Sequence, residues 1–215
     1  MTRRPAFDLS LYLIAGQRDL GGRPLDAVVD AAVRGGVTLV QLREKDAGEE
    51  RMIELARGLK AVLAPHGVPL IVNDHLEVAL AAEADGLHVG QGDLAPAEAR
   101  RALGPGKILG TSAGDAAEAA TVDPALVDYV GVGPVYATGS KHDAGPAIGL
   151  AGLADLRGRL DLPVVAIGGI DADSAGAVMA SGVEGIAVVS AICSAADPEA
   201  AARTLRRRIE EARRP

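Results

Sequence analysis

The sequence is short of the residues that would tie a chain to nucleic acid, to a disulfide framework or to a bilayer. It has no tryptophan, and its aromatic residues are Phe7, Tyr12, Tyr129 and Tyr136. Positive charge is in deficit too, with 22 Lys+Arg against 29 Asp+Glu and a formal net charge of −7. With so little to stack on bases and so few cations to follow phosphates, no nucleic-acid partner is expected. The single cysteine, Cys193, excludes an internal disulfide and a multi-thiolate metal site, and the apolar stretch Ala191-Ile192-Cys193 reads as packing. A reducing, cytoplasmic setting is the expectation. No stretch approaches the roughly 20 consecutive apolar residues of a membrane helix, so a soluble chain without a membrane partner is expected.

Two weak signals have plainer readings. Thr2-Arg3-Arg4 ahead of Leu11 to Ala15 faintly resembles an export signal, but Asp8 interrupts it and Arg18-Asp19 ends the apolar run early. Arg203, Arg206, Arg207, Arg208, Arg213 and Arg214 could form a basic patch, yet Glu210 and Glu211 interleave with them and cations suit a helix C-terminus.

What the chain does have is regular alternation. Eight β-rich apolar runs recur: Leu11 to Ala15, Val37 to Leu42, Leu70 to Val72, Leu87 to Val89, Ile108 to Leu109, Tyr129 to Val132, Val164 to Ile167 and Ile186 to Val189. Helical spacing lies between them, as in Met52, Leu55, Ala56, Leu59 and Leu63. Pro24 stands where a first helix would begin and Gly35-Gly36 where it would stop. Apolar strands alternating with amphipathic helices imply a parallel sheet covered by helices. Eight units of roughly 27 residues fit an α/β fold, the (β/α)8 TIM barrel, as one domain over residues 1–215. An open doubly wound sheet fits less well, because Ala15-Gly16-Gln17-Arg18-Asp19-Leu20 is no dinucleotide fingerprint.

The active site of such a barrel lies at the C-terminal ends of its strands, where the unusual polar clusters of this sequence fall. Gln41-Leu42-Arg43-Glu44-Lys45, Asn73-Asp74-His75, Gly90-Gln91-Gly92-Asp93, Gly110-Thr111-Ser112, Thr138-Gly139-Ser140-Lys141, Gly168-Gly169 and Ser190 all follow apolar runs. Loops after the seventh and eighth strands commonly present backbone N–H groups to a phosphate, so Gly168-Gly169 and Val189-Ser190 are read as an anion site. Asp74 and Asp93, on neighbouring strand ends, suit Mg²⁺ shared with substrate phosphates. With Arg43, Lys45 and Lys141 in the same mouth they read as a metal diphosphate site. Plainer alternatives exist: a tight turn at the glycines with Asp171 as helix cap, N-caps at Asp74 and Asp93, and a salt-bridged surface turn at Arg43-Glu44-Lys45. His88 lies inside an apolar strand and reads as a hydrogen-bonded core residue, while His66 and His142 have no partner pattern and His75 adjoins Asp74.

Several separate stretches together resemble the thiamine-phosphate synthase (thiamine-phosphate pyrophosphorylase) family. They are Val40 to Lys45, Val72-Asn73-Asp74, Gly86 to Gln91 with Asp93, Asp128 to Tyr136, Thr138 with Lys141, Ile167 to Ile170, and Val188 to Ile192. The resemblance implies a transferase of thiamine biosynthesis. It would join 4-amino-2-methyl-5-(diphosphooxymethyl)pyrimidine to 4-methyl-5-(2-phosphooxyethyl)thiazole, releasing diphosphate and forming thiamine phosphate. It implies that Gln41, Arg43, Lys45, Asn73, Ser112 and Lys141 hold the pyrimidine diphosphate, with Arg43, Lys45 and Lys141 acting on the leaving group. Asp74 and Asp93 would hold Mg²⁺, and Thr138, Ser140, Gly169, Val189 and Ser190 the thiazole phosphate.

The family's mechanism is dissociative and needs no protein nucleophile. The segment from Ala137 to Pro146 is long enough to act as a lid. The chain departs from the family pattern at Gly114, where many relatives have His, and at Ala137-Thr138, where Pro-Thr is common. Two other readings compete. A thiazole tautomerase-like isomerase would carry His where Pro134 stands, and a non-catalytic sensor of phosphorylated ligands would have no reason to keep the acidic pair. Helix faces could also support a homodimer.

Overall fold

The computed structural model describes residues 5–139 and 145–214. Strands and helices alternate: β1 (Leu11–Ala15), α1 (Leu25–Arg34), β2 (Leu39–Leu42), α2 (Glu49–Leu63), β3 (Leu70–Asn73), α3 (Leu76–Ala81), β4 (Gly86–Val89) and α4 (Pro96–Leu103). There follow β5 (Ile108–Ala113), α5 (Ala116–Ala120), β6 (Tyr129–Val132), α6 (Gly149–Arg159), β7 (Val164–Ile167), α7 (Ala175–Met179), β8 (Gly185–Val188), α8 (Ser190–Cys193) and α9 (Pro198–Ala212). The eight strands are parallel and close in sequence order, β8 pairing with β1 through Leu11↔Ile186 to Leu13↔Val188. This is the (β/α)8 barrel that the alternation implies.

Local chemistry explains the elements. Leu25, Val28, Val29, Ala32 and Val33 recur at helical spacing and are all buried, so α1 lays one apolar stripe on the barrel. It ends at Gly35, where a Cβ would stand 2.3 Å from the Glu199 carbonyl of α9. Alternate residues of each strand face opposite ways. Leu11, Leu13, Val40, Leu70, Val72 and Leu87 pack against the helices, whereas Tyr12, Ile14, Leu39, Ile71, Ile108, Tyr129, Val165 and Ala187 cluster inside the barrel. The Tyr129 ring fits there because Gly110, its partner in register, has no side chain; a Cβ would meet the ring at 2.1 Å.

The N-terminal face uses one device four times. The residue just before each even-numbered strand exchanges two hydrogen bonds with the first or second residue of the preceding odd strand. Thr38 Oγ1 accepts from Leu11 N–H at 3.1 Å, Asp85 from Leu70 at 2.9 Å, Asp128 from Leu109 at 2.8 Å and Glu184 from Val164 at 2.7 Å. The four backbone N–H groups return bonds to the same four carbonyls. The strands are thereby pinned in pairs, β1 with β2, β3 with β4, β5 with β6 and β7 with β8.

Arg203, Arg206, Arg207 and Arg208 lie on α9, where Arg206 pairs with Glu210 and Arg207 with Glu211 at i,i+4, while Arg213, just past the helix, donates to Ser10 Oγ at 2.6 Å. No helix among the described residues is long and apolar enough to cross a membrane.

Candidate active site

Because all strands are parallel, their C-terminal ends share one mouth. Asp74 follows the last residue of β3 and has φ of 62°, a left-handed backbone that non-glycine residues seldom adopt. Its N–H is held by the His88 carbonyl at 2.8 Å. It does not cap α3, whose N-cap is His75. Asp93 does not cap α4 either; its carboxylate accepts from Gly90 N–H at 2.7 Å within the turn after β4. The Asp74 and Asp93 carboxyls instead meet each other. Burial, then the hydrogen bond and charge of Asp93, push Asp74 up to about 6, against the opposing influence of Asn73 and Arg43. Two facing carboxyl groups that oppose one another's ionisation are a donor set suited to a divalent cation. Among the described residues no third His, Cys, Asp or Glu joins them, so a cation here would draw its other ligands from substrate and water.

Past the end of β2, Arg43 N–H bonds the Ala15 carbonyl at 2.9 Å. Glu44 is buried, and its carboxylate accepts from Gln17 N–H at 2.9 Å, tying this loop to the one after β1. The surface salt-bridged turn is therefore the wrong reading for Glu44, which is an anchor. Arg43 lies within electrostatic reach of both Asp19 and Asp74, and Lys45 reaches solvent.

Three expected site residues lie deeper than a loop reading suggests. Gln41 is buried on β2, with its amide donating to Tyr12 Oη at 2.7 Å. Ser112 belongs to β5, which runs four residues beyond the apolar pair Ile108-Leu109. Its Oγ meets His88 Nε2 at 2.9 Å, and Gln91 bonds its carbonyl at 2.6 Å. Asn73 closes β3 beside Asp74. His88 is the hydrogen-bonded core histidine expected, joined through Nδ1 to Tyr129 Oη at 2.9 Å. Tyr12, Tyr129, Glu44 and Asp19 carry no site signal of their own; the one clue was a phenol hydroxyl placed in an otherwise apolar strand.

The opposite side of the mouth is made of backbone. Gly168 and Gly169 have φ of 104° and 63°, and a Cβ on Gly169 would lie 2.7 Å from the Ala137 carbonyl. Tyr136 N–H bonds the Gly168 carbonyl at 3.0 Å, so the turn after β7 packs on the segment leading to Thr138. Asp171 caps the turn ahead of α7, accepting from Ser174 N–H at 2.9 Å, while Ser174 holds the helix N-cap position. Val189 precedes α8 as its N-cap and Ser190 is its first residue. At the other end of α8, the Arg23 guanidinium donates to the Cys193 carbonyl and, at 2.7 Å, to the Ala195 carbonyl. Ser140 and Lys141, and half of the expected lid, lie outside the described residues.

A closed parallel barrel with an acidic cluster at β3–β4 and a glycine-built turn at β7–β8, four strands round the ring, has the layout of a phosphate-handling barrel enzyme. Residues 11–192 match the family model described as thiamine monophosphate synthase. The chain is 54% identical over 207 residues to a thiamine-phosphate synthase of Xanthobacter autotrophicus, covering 96% of this chain and 98% of the relative. It is 52% identical over 208 residues to one of Azorhizobium caulinodans, covering 97% and 98%. The solved thiamine phosphate pyrophosphorylase of Pyrococcus furiosus superposes with a TM-score of 0.87 at 37% identity, covering 96% of this chain and 98% of that one. The chain belongs to the thiamine monophosphate synthase family.

Proposed function

We propose that this barrel condenses 4-amino-2-methyl-5-(diphosphooxymethyl)pyrimidine with 4-methyl-5-(2-phosphooxyethyl)thiazole, forming thiamine phosphate and diphosphate. Beside family membership, the observation that carries the reading is the Asp74–Asp93 pair, a donor set suited to the divalent cation that a diphosphate leaving group calls for. Pro134 stands where the isomerase alternative needs a histidine.

Gln41, Arg43, Lys45, Asn73, Ser112 and Lys141 bind the pyrimidine diphosphate. Asp74 and Asp93 hold Mg²⁺, which when bound supplies positive charge to the diphosphate oxygens. The C–O bond between methylene and diphosphate breaks with its electron pair leaving on oxygen. The ring amino group stabilises the resulting cation, and the thiazole nitrogen lone pair then forms the new C–N bond. Arg43, Lys45 and Lys141 meet the charge that grows on the leaving group, an interaction stronger in the transition state than before it. Thr138, Ser140, Gly169, Val189 and Ser190 hold the thiazole phosphate, so the nucleophile waits beside the carbon it attacks. No protein nucleophile is needed, and the single thiol is unsuited to be one: burial pushes Cys193 up to about 12.

A cytoplasmic setting suits a chain whose one cysteine is buried and unpaired. Among the described residues the large exposed apolar side chains are Leu80 and Leu150, so a homodimer would form through a largely polar face. The test is incubation of the purified protein with both substrates and Mg²⁺. Equimolar diphosphate and thiamine phosphate support the reading, and rearrangement of the thiazole phosphate without diphosphate release would refute it.

A further inference from the structure

A line of buried side chains crosses the barrel interior from β2 to β5. It runs Gln41 Nε2 to Tyr12 Oη, 2.7 Å; Tyr12 Oη to Tyr129 Oη, 2.9 Å; Tyr129 Oη to His88 Nδ1, 2.9 Å; and His88 Nε2 to Ser112 Oγ, 2.9 Å. It joins two residues of the proposed pyrimidine diphosphate set through three that lie outside that set. The proton count along it has one consistent direction. An amide nitrogen only donates, so the Tyr12 oxygen accepts from Gln41. Both tyrosines are fully buried, and the other partner of Tyr12 is Tyr129, so the Tyr12 proton goes to the Tyr129 oxygen. A buried hydroxyl hydrogen left without an acceptor there is costly, and the structure strands no buried side-chain polar atom among its described residues. The Tyr129 proton then goes to His88 Nδ1, which must be the bare nitrogen of the ring. The ring proton sits on Nε2 and is donated to Ser112 Oγ.

We propose that Gln41, Tyr12, Tyr129 and His88 form a one-way donor chain that fixes His88 as its neutral Nε2–H tautomer. Ser112 accepts from it and turns its own hydroxyl proton into the mouth, toward an oxygen or ring nitrogen of the pyrimidine diphosphate. The inference rests on the reading of Ser112 as a contact to that substrate. Direction matters because phosphate oxygens and bare ring nitrogens only accept. A chain running the other way would use the serine proton inside the barrel and aim lone pairs at the ligand. Tyr129 and His88 are thus positioning residues, acting through Ser112.

The test is ¹⁵N NMR of the full chain labelled at histidine, with His88 assigned among the four histidines by its loss in His88→Gln. The expected result is a protonated Nε2 and a bare Nδ1 in the wild type. Tyr12→Phe keeps that tautomer, because the Tyr129 proton still has His88 as its acceptor, whereas Tyr129→Phe releases it to a mixture. Tyr129→Phe is also expected to raise KM for the pyrimidine diphosphate about tenfold, the usual worth of one hydrogen bond to a charged group. His88→Gln, whose amide can still donate to Ser112, should recover most of the affinity that His88→Leu loses. A wild-type ring protonated on Nδ1, or a Tyr129→Phe variant with tautomer and KM unchanged, overturns the proposal. Should Ser112→Ala leave KM unchanged while the wild-type ring is protonated on Nε2, the donor chain stands and the assignment of Ser112 to the substrate falls.

Discussion

The β3–β4 and β7–β8 pairs are pinned at their N-terminal ends in the same way, by Asp85 on Leu70 and by Glu184 on Val164, yet they finish differently. At the mouth the first pair ends in side chains that face one another, Asp74 and Asp93, where burial and the neighbouring carboxyl hold Asp74 above the usual carboxylate range. The second ends in backbone turned outward by Gly168 and Gly169 in left-handed conformations, where a side chain has no room. On the function proposed above, one barrel would offer two grades of anion chemistry: side-chain carboxylates would gather a cation that neutralises a diphosphate, and bare backbone would hold a monophosphate. The two sides should therefore fail in different ways when altered.

The largest expected effect is on the acidic side. Asp93→Ala should lower kcat by about 10²-fold or more, because charge on the departing diphosphate loses a stabiliser. Steady-state assays at saturating Mg²⁺ with calorimetry of the same protein check it; near-normal turnover would break the comparison. Gly169→Val comes next. Its φ of 63° and the Ala137 carbonyl at 2.7 Å leave the turn no easy accommodation. We expect KM for the thiazole phosphate to rise about tenfold, from roughly 1–2 kcal/mol of backbone strain, with pyrimidine diphosphate binding little changed. The reverse pattern would mean the two subsites are exchanged.

Arg43→Lys keeps the charge and loses the planar fork, so titration should show pyrimidine diphosphate affinity falling severalfold in a protein that still folds. Unchanged affinity would make Arg43 a bystander.

The smallest effect is one of pH and stability. Asp74 stands at about 6 in the fold against 3.8 ordinarily, so the folded state keeps a proton that the unfolded chain has released. Stability from this group is full below about pH 4 and declines as pH rises to about 6. In chelator, the difference in Tm between Asp93→Asn and wild type should accordingly grow across that window. A constant difference would show that the two carboxyls do not interact.

Much of this was legible before the fold. The bounds of β1, β6 and β7 follow their apolar runs, and the sites fall at the strand ends because the runs do. The end of β5 was not legible, since Thr111 and Ser112 look like loop residues. Inside the barrel the Val89 carbonyl at 3.2 Å and the His88 ring supply the partners that let polar side chains continue a strand. Nor could local pattern separate a helix cap from a facing carboxylate at Asp74, because the choice is made by a backbone angle. The Tyr12–Tyr129 contact spans 117 positions and exists only once the ring closes.

That closure also orders events in time. Every residue from Gln41 to Asp93 on the acidic side lies within one continuous quarter of the chain, available early as synthesis proceeds from the N-terminus. The β7–β8 side is tied down by Arg23, whose guanidinium reaches the Ala195 carbonyl across 172 positions. Its α8 cannot be clasped until nearly the whole polypeptide has been made. The Asp74–Asp93 side of the mouth thus draws on one stretch of sequence, whereas the glycine-built side is completed by residues from both ends of the chain.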